Sequence, residues 1–246
     1  ITVGEMASSN LENSIRYTNP QSEELSMIFD FHHLKVDYPS GNKWEIQPFR
    51  FHDLKNNLFS WQQEMERGGG WQSLFWYNHD QPRIVSRIGD DGKYRVESAK
   101  MLATALHGLR GTPCIYQGEE IGMTNAGFHD ISQYRDIETL NVYNEMKLKG
   151  KTDEEIYWSL GRKSRDNART PMQWDNTENA GFTDGTPWIE VNPNCAWINT
   201  LDREDPDSIF QHYRKLTALR KELPVISQGD VTPILEEDEN LLAYRR

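Results

Sequence analysis

Short apolar runs alternate with longer stretches in which apolar residues recur every three or four positions, which predicts strands and helices in turn. Ile1-Thr2-Val3-Gly4-Glu5 and Ser26-Met27-Ile28-Phe29-Asp30-Phe31 read as two strands. Residues 53–66 put Leu54, Leu58, Trp61 and Met65 on one helical face. Gly68-Gly69-Gly70 ends that helix, because glycine enters the left-handed conformation at little steric cost. Trp71-Gln72-Ser73-Leu74-Phe75-Trp76-Tyr77 is nearly all apolar, the pattern of a strand covered on both faces, and it stops at Asn78-His79-Asp80. Residues 97–109 form the next helix, with Leu102, Ala105, Leu106 and Leu109 as its stripe. Gly111-Thr112-Pro113 breaks it, and Cys114-Ile115-Tyr116-Gln117 predicts a short strand leading into Gly118-Glu119-Glu120. Strands and helices in this rhythm imply an α/β fold with parallel pairing and right-handed crossovers.

The alternation lapses over residues 123–205, which are polar and rich in Asn, Asp and Gly, with helical character at 136–149 and 153–160. An insertion of this kind in a barrel shapes the substrate mouth. A helix over 206–223 has Asp205 as its cap and Pro206 in its first turn. The expected division is therefore a catalytic unit over 1–223 and the beginning of an antiparallel β domain over 224–246.

With 246 residues, 36% of them hydrophobic, the chain is long enough to bury a substantial core. Its net charge of -11 and the lack of a basic run argue against a nucleic-acid partner. A small phosphorylated ligand, which needs only a few local cations, stays open. Cys114 and Cys195 have neither metal spacing nor a disulfide framework around them, which points to a cytoplasmic setting, with no metal and no cofactor expected. No apolar stretch reaches the length of a membrane span and no signal peptide is visible, so no membrane partner is expected. Both ends fall inside apparent strands, Ile1 at one and Leu241 to Arg246 at the other, which suggests a piece of a longer protein. Oligomeric state is unknown at this level.

The candidate chemistry lies at strand ends. In a closed α/β barrel, reactive groups sit at the carboxyl ends of the strands. Glu5 and Asn78-His79-Asp80 hold that position, although a surface carboxylate and a polar turn read equally well from the residues alone. His32, Lys35 and Lys43 follow the second strand and form either a solvated basic loop or a cradle for phosphate, with Tyr38 and Trp44 as possible stacking partners or plain packing.

Four motifs occur in order: Val3-Gly4-Glu5-Met6; Asn78-His79-Asp80-Gln81-Pro82-Arg83; Gly111-Thr112-Pro113 through Gly122; and Ser164-Arg165-Asp166-Asn167-Ala168-Arg169-Thr170-Pro171-Met172-Gln173-Trp174. Together they resemble the α-amylase superfamily, glycoside hydrolase family 13, in the oligo-1,6-glucosidase branch, over essentially the whole chain. The resemblance implies a TIM (β/α)8 barrel, of which this chain is the second half, strands five to eight. It implies that Glu5 is the proton donor and Asp80 the carboxylate that stabilises the oxocarbenium-like transition state. His79 would bind sugar hydroxyls, and Arg165 would close the glucose pocket. The nucleophilic Asp of the family would lie in the first half-barrel, so residues 1–246 alone are expected to be inactive. The loop Phe31-His32-His33-Leu34-Lys35-Val36-Asp37-Tyr38-Pro39 resembles members of the branch that cleave α,α-trehalose 6-phosphate to glucose and glucose 6-phosphate. The oligo-1,6-glucosidases tend to be acidic there, and Cys114 departs from the family's Tyr. A sugar or sugar-phosphate is thus the expected partner, with the phosphate on His32, Lys35 and Lys43; an oligo-1,6-glucosidase acting on unphosphorylated sugars is the near alternative. Amino-acid transporter heavy chains resemble the same barrel without catalysis, but a barrel of that kind has no need of Glu5, Asp80 and Arg165 together. Arg83 and Arg169 read either as supports of the site or as ordinary ion-pair residues. Cys114, Met172 and Trp174 read as core or as residues packed behind the site, and Glu119 and Glu120 stay outside the catalytic set.

Overall fold

A computed structural model describes residues 1–38 and 40–246; Pro39, the last residue of the basic-loop motif, lies outside the described residues. Strand β1 (Val3–Met6) is followed by helix α1 (Leu11–Thr18), β2 (Met27–Asp30), α2 (Phe51–Arg67), β3 (Ser73–Leu74), the short α3 (Ile84–Ile88), α4 (Arg95–His107) and β4 (Thr112–Pro113). β1 pairs in parallel with β2, Ile28 bridges in parallel to Gln72, and β3 pairs in parallel with β4. The order β1-β2-β3-β4 therefore follows the sequence, and all four carboxyl ends point to one edge.

Helix α2 buries Leu54, Leu58, Trp61 and Met65, the face its periodicity predicts. Its glycine stop works differently from expectation. Gly68 is right-handed at φ -85°, and only Gly69 takes a positive φ, +72°. Gly68 is small because α1 crosses there: a Cβ would lie 2.4 Å from Ile15 Cγ2.

Two strands are shorter than their apolar runs. Beyond Leu74, the side chains of Phe75, Trp76 and Tyr77 are buried, but their backbones leave the regular ladder. Trp76 Nε1 donates instead to Leu102 O at 2.7 Å, which fastens the run to α4. Apolarity predicts burial there, and burial is not the same as pairing. The last strand falls on Thr112–Pro113, just before Cys114, in the stretch that reads as a breaker. Gly111 makes this possible, with φ +134° and a notional Cβ only 2.6 Å from Gln72 O, so the two backbones approach where no other residue fits.

The long insertion contains α5 (Ile137–Leu148), α6 (Asp153–Lys163) and the single turn α7 (Asp166–Arg169). α6 opens on a capping box, Glu155 N donating to Thr152 Oγ1 at 3.2 Å and Thr152 N to Glu155 Oε2 at 2.9 Å. A separate apolar cluster including Phe128, Tyr134, Ile156, Leu160 and Ile189 gives the insertion its own core. It is tied to the barrel by a buried triad: Asp37, in the turn after β2, accepts from Arg87 Nη2 at 2.8 Å and from Lys163 Nζ at 2.7 Å. Burial alone would raise the Asp37 carboxyl, but the two cations hold it below the usual carboxylate range. Lys163→Met is expected to cost about 1.5–3 kcal/mol, the loss of one charge-assisted hydrogen bond, since Arg87 keeps Nε and Nη2 on the Asp37 carboxylate; urea unfolding measures it, and a cost under about 0.5 kcal/mol would show the Lys163 contact to be solvated.

Helix α8 (Ile209–Glu222) starts at Ser208, whose Oγ accepts from Gln211 N at 3.1 Å, and not at Asp205. Asp205 belongs to the preceding turn, taking Asp207 N on its carboxylate at 2.9 Å. After α9 (Pro224–Gln228), β5 (Thr232–Ile234) and β6 (Ala243–Arg245) pair antiparallel. This hairpin packs on the barrel helices: Tyr244 Oη donates to Ala105 O at 2.8 Å, and its ring lies where a Cβ on Gly108 would be.

Candidate active site

The shared carboxyl edge collects the expected residues in two groups. Glu5, near the end of β1 and opposite Phe29 in the register, is exposed. The loop after β1 receives two of the basic candidates: Lys35 Nζ donates to Ala7 O at 2.7 Å, and His32 Nε2 lies 2.6 Å from Ser9 O while its ring stacks on Trp61 with centroids 4.7 Å apart. Asp30 ends β2 in a buried position. Burial pushes its carboxyl up, but His33, the Gln72 amide and the His32 backbone N–H outweigh that and hold it below the usual carboxylate range.

The second group surrounds Asp80. Asn78 Oδ1 accepts from Asp80 N at 2.8 Å, an Asx turn that points the chain back after β3. Arg169 grips the turn twice, Nη2 to Asp80 Oδ1 at 2.6 Å and Nε to His79 O at 2.8 Å. His79 Nε2 is 3.6 Å from Asp80 Oδ2, with the ring largely exposed. Arg165 Nη1 is 3.8 Å from Asp80 Oδ1, but its Nε is closer to Glu138, at 3.1 Å. Glu138 also holds Lys43, Nζ to Oε2 at 2.7 Å. The outcome is an alternating series, Asp136, Arg169, Asp80, Arg165, Glu138 and Lys43, in which each carboxylate lies near a cation.

The guanidinium in direct contact with Asp80 is Arg169, which reads two ways in the sequence, and Arg165 bridges to Glu138. Two expectations change here. The three basic candidates do not converge: His32 and Lys35 bind carbonyls in the loop that follows Glu5, whereas Lys43 is engaged by Glu138, and burial pushes its ammonium below the ordinary lysine value against the pull of that carboxylate. Trp174 is 52% exposed and so is not core, whereas Met172 is buried. Tyr38 stands beside the structural triad, with Lys163 Nζ 5.3 Å from its ring centre.

Arg83, which reads two ways in the sequence, is a support of the site. It is fully buried with no carboxylate partner among the described residues, donating from Nε to Asn167 O at 3.2 Å and to Gln117 O. It ties the ends of β3 and β4 to α7 and so sets the position of Arg169. Asp136 and Glu138 carry no sequence signal for a place in the ion series, since their partners lie far away in the chain. Arg169 has a usable one, because Arg165 and Arg169 are spaced i, i+4 and share one face of a helical turn.

Behind β4, Glu119 is only 3% exposed, accepting from Tyr213 Oη at 2.7 Å and from Tyr116 N at 3.4 Å. Burial pushes its carboxyl up to about 7. Tyr116 and Gln117 both donate to Ala168 O, at 3.1 and 3.2 Å, and a cleft of about 460 Å³ opens between them, Arg169, Met172, Trp174 and Trp188.

A half-ring of parallel strands with acidic groups at one edge is the architecture of an α/β barrel enzyme, and proteins of known structure share it. Residues 1–229 match the α-amylase catalytic domain, and the chain belongs to the α-amylase family. It is 57% identical over 247 residues to the trehalose-6-phosphate hydrolase of Bacillus subtilis (strain 168) and 54% identical over 247 residues to an oligo-1,6-glucosidase of Halalkalibacterium halodurans; both matches take in 100% of this chain and 44% of the relative. The crystal structure of Bacillus licheniformis trehalose-6-phosphate hydrolase superposes with a TM-score of 0.97 at 61% identity, covering 99% of this chain and 44% of that one. The chain thus spans less than half the length of these relatives. Its fold is the second half of a TIM barrel, followed by antiparallel β structure. Among the described residues no helix is long and apolar enough to cross a membrane.

Proposed function

We propose that this chain supplies the proton donor and the transition-state-stabilising carboxylate of a retaining glycoside hydrolase that cleaves α,α-trehalose 6-phosphate to glucose and glucose 6-phosphate. The observation that carries the reading is the placement of Glu5 and the Arg169-clamped Asp80 at one edge of the same parallel strands. Retention needs a carboxylic acid to protonate the leaving oxygen and a carboxylate about 5–5.5 Å from it to attack the anomeric carbon. Glu5 takes the first role. Asp80, oriented by the Arg169 guanidinium, faces the positive charge that develops on the glucosyl ring, while His79 and Arg165 bind its hydroxyls. No described residue is assigned as the attacking carboxylate, so residues 1–246 alone are expected to give no turnover. In this reading 1–223 form the catalytic half-barrel and 224–246 begin a C-terminal β domain.

The phosphate assignment rests on Lys35 and His32, which lie together beside the loop after β1, with Lys43 held apart from them by Glu138. A second reading, an oligo-1,6-glucosidase acting on unphosphorylated sugars, is favoured by that same pairing, which leaves the Lys43 ammonium already neutralised. Rates in the full-length protein separate the two. Lys35→Ala is expected to lower kcat/KM for trehalose 6-phosphate by about tenfold or more, the loss of one charge-assisted hydrogen bond, and to leave isomaltose nearly unchanged. An equal effect on both sugars, or a parent enzyme that prefers isomaltose, removes the phosphate reading.

A further inference from the structure

Each of the four residues of α7 is tied to a different neighbour. Asp166 takes two consecutive backbone N–H groups on one oxygen, Oδ2, accepting from Arg135 N at 2.6 Å and from Asp136 N at 2.9 Å. The Asn167 amide donates to Gly161 O at 3.0 Å and Ser164 O at 3.1 Å, and accepts from Ala126 N at 3.0 Å. Ala168 O accepts from Tyr116 and Gln117, and Arg169 holds Asp80. A single helical turn does not keep its shape unaided, so these attachments decide where Arg169 points.

Asp166, Asp136, Thr139 and Ser164 are all buried, and burial that a chain achieves by itself only deepens when more protein packs against it. The four close a ring. Asp136 N donates to Asp166 Oδ2, and Thr139 N and Oγ1 donate to Asp136 Oδ2 at 3.1 and 2.9 Å. Thr139 Oγ1 lies 2.8 Å from Ser164 Oγ, which accepts from Asp166 N at 3.2 Å. Since the Thr139 hydroxyl proton goes to Asp136, Ser164 is the donor to Thr139. Every bond in the ring thus has one direction, and its members are fixed together.

The ring leaves one acceptor turned outward. With Asp136 Oδ2 taken by Thr139, Oδ1 is left to Arg169, 3.7 Å from Nη1. The guanidinium then has an acceptor at each nitrogen: His79 O at Nε, Asp80 at Nη2 and Asp136 at Nη1. Of the two carboxylates Asp136 is the anchored one, its side chain 3% exposed against 29% for Asp80. A planar fork met on all three nitrogens cannot rotate without giving up a contact.

We propose that Asp166 is a positioning residue for glucosyl cleavage: it fixes the Arg135–Asp136 backbone, which sets Asp136 against Arg169, and Arg169 in turn orients Asp80. Asp166 itself touches no substrate. This role rests on the one proposed above for Asp80, since a clamp matters only if the clamped carboxylate faces the glucosyl ring. A shift of about 1 Å in such a group costs up to roughly a hundredfold in rate.

Steady-state rates of the full-length protein on a nitrophenyl α-glucoside test it, because the nature of the leaving sugar then drops out. Asp166→Ala is expected to lower kcat by about tenfold or more with KM within about threefold. Asp166→Asn keeps an oxygen for the two N–H groups and should recover most of that loss. Asp136→Asn should also lower kcat, and the two losses should not multiply in Asp136→Asn/Asp166→Ala, because both act through Arg169. A general loosening of the fold would give neither the rescue nor the coupling. Urea midpoints show whether each variant folds; if Asp166→Ala does not, Ser164→Ala, which opens the same ring by removing one hydroxyl, takes its place. Asp166→Ala within about twofold of wild type, while Asp80→Asn is slow, overturns the positioning role and leaves the reading of Asp80 standing. Losses that multiply in the double variant overturn it too, by placing Asp166 outside the Arg169 clamp. Asp80→Asn as fast as wild type removes this role together with the function on which it rests.

Discussion

Glu5→Gln in the full-length protein is expected to lower kcat/KM by about 10²–10⁴-fold on glucosides whose leaving group is a sugar alcohol that must be protonated, the range that a positioned general acid contributes. On a nitrophenyl glucoside, whose leaving group departs without a proton, the loss in kcat/KM should be far smaller, while kcat falls on both because the same residue acts as the base for water in the second step. The contrast follows from the role: the first bond cleavage needs Glu5 to donate a proton to the leaving oxygen, and an acidic phenol makes that donation unnecessary. Asp80→Asn should slow both substrates alike, by about 10²–10³-fold, since charge on the glucosyl ring develops whatever leaves. Steady-state rates on the two substrate types decide the matter. If Glu5→Gln depresses kcat/KM equally on both, Glu5 is not the proton donor.

The second large effect concerns stability. Glu119 titrates near 7 in the folded chain against an ordinary glutamate value of 4.5. Below pH 4.5 both folded and unfolded states hold the proton, and the group adds no penalty. As pH rises toward 7, the unfolded carboxyl ionises while the buried one keeps its proton, so stability falls across that window. It levels off above 7, by which point roughly 3 kcal/mol has been lost. Glu119→Gln removes the titration and keeps an oxygen for Tyr213. Urea unfolding should give little difference between wild type and variant at pH 4.5, and a variant more stable by a margin that grows up to pH 7. A difference that stays flat with pH would mean that Glu119 is solvated in the folded chain.

Where the sequence is readable, the signal is local and periodic. Helix α2 follows from the spacing of Leu54, Leu58, Trp61 and Met65, and the parallel order from the rhythm of strands and helices. Ser208 cannot be told from Asp205 as the α8 cap, because both are good cap residues and only packing decides between them. β4 is hidden from a sequence reading since Gly111 and Pro113 signal a turn in isolation, and the close approach to Gln72 that needs Gly111 is a tertiary fact. In the site, strand-end position and motif together mark Glu5, His79 and Asp80. The partners of Asp80 are less legible. Arg169 shows only in a helical spacing, and Glu138, 95 residues from Lys43, has no signal at all. Exposure of Trp174 is invisible for a related reason: a large aromatic ring reads as core unless its cover is known.

The ion triad of Asp37, Arg87 and Lys163 has a mechanical corollary. Swinging the inserted helices away from the strands would pull Lys163 off Asp37 and give up a charge-assisted hydrogen bond in a dry interior, at roughly 1.5–3 kcal/mol. At the lower figure, fewer than about one molecule in ten holds them apart at any instant. The inserted helices and the strand edge thus travel as one body, and a spectroscopic label on α6 is expected to report the same tumbling as one on α4.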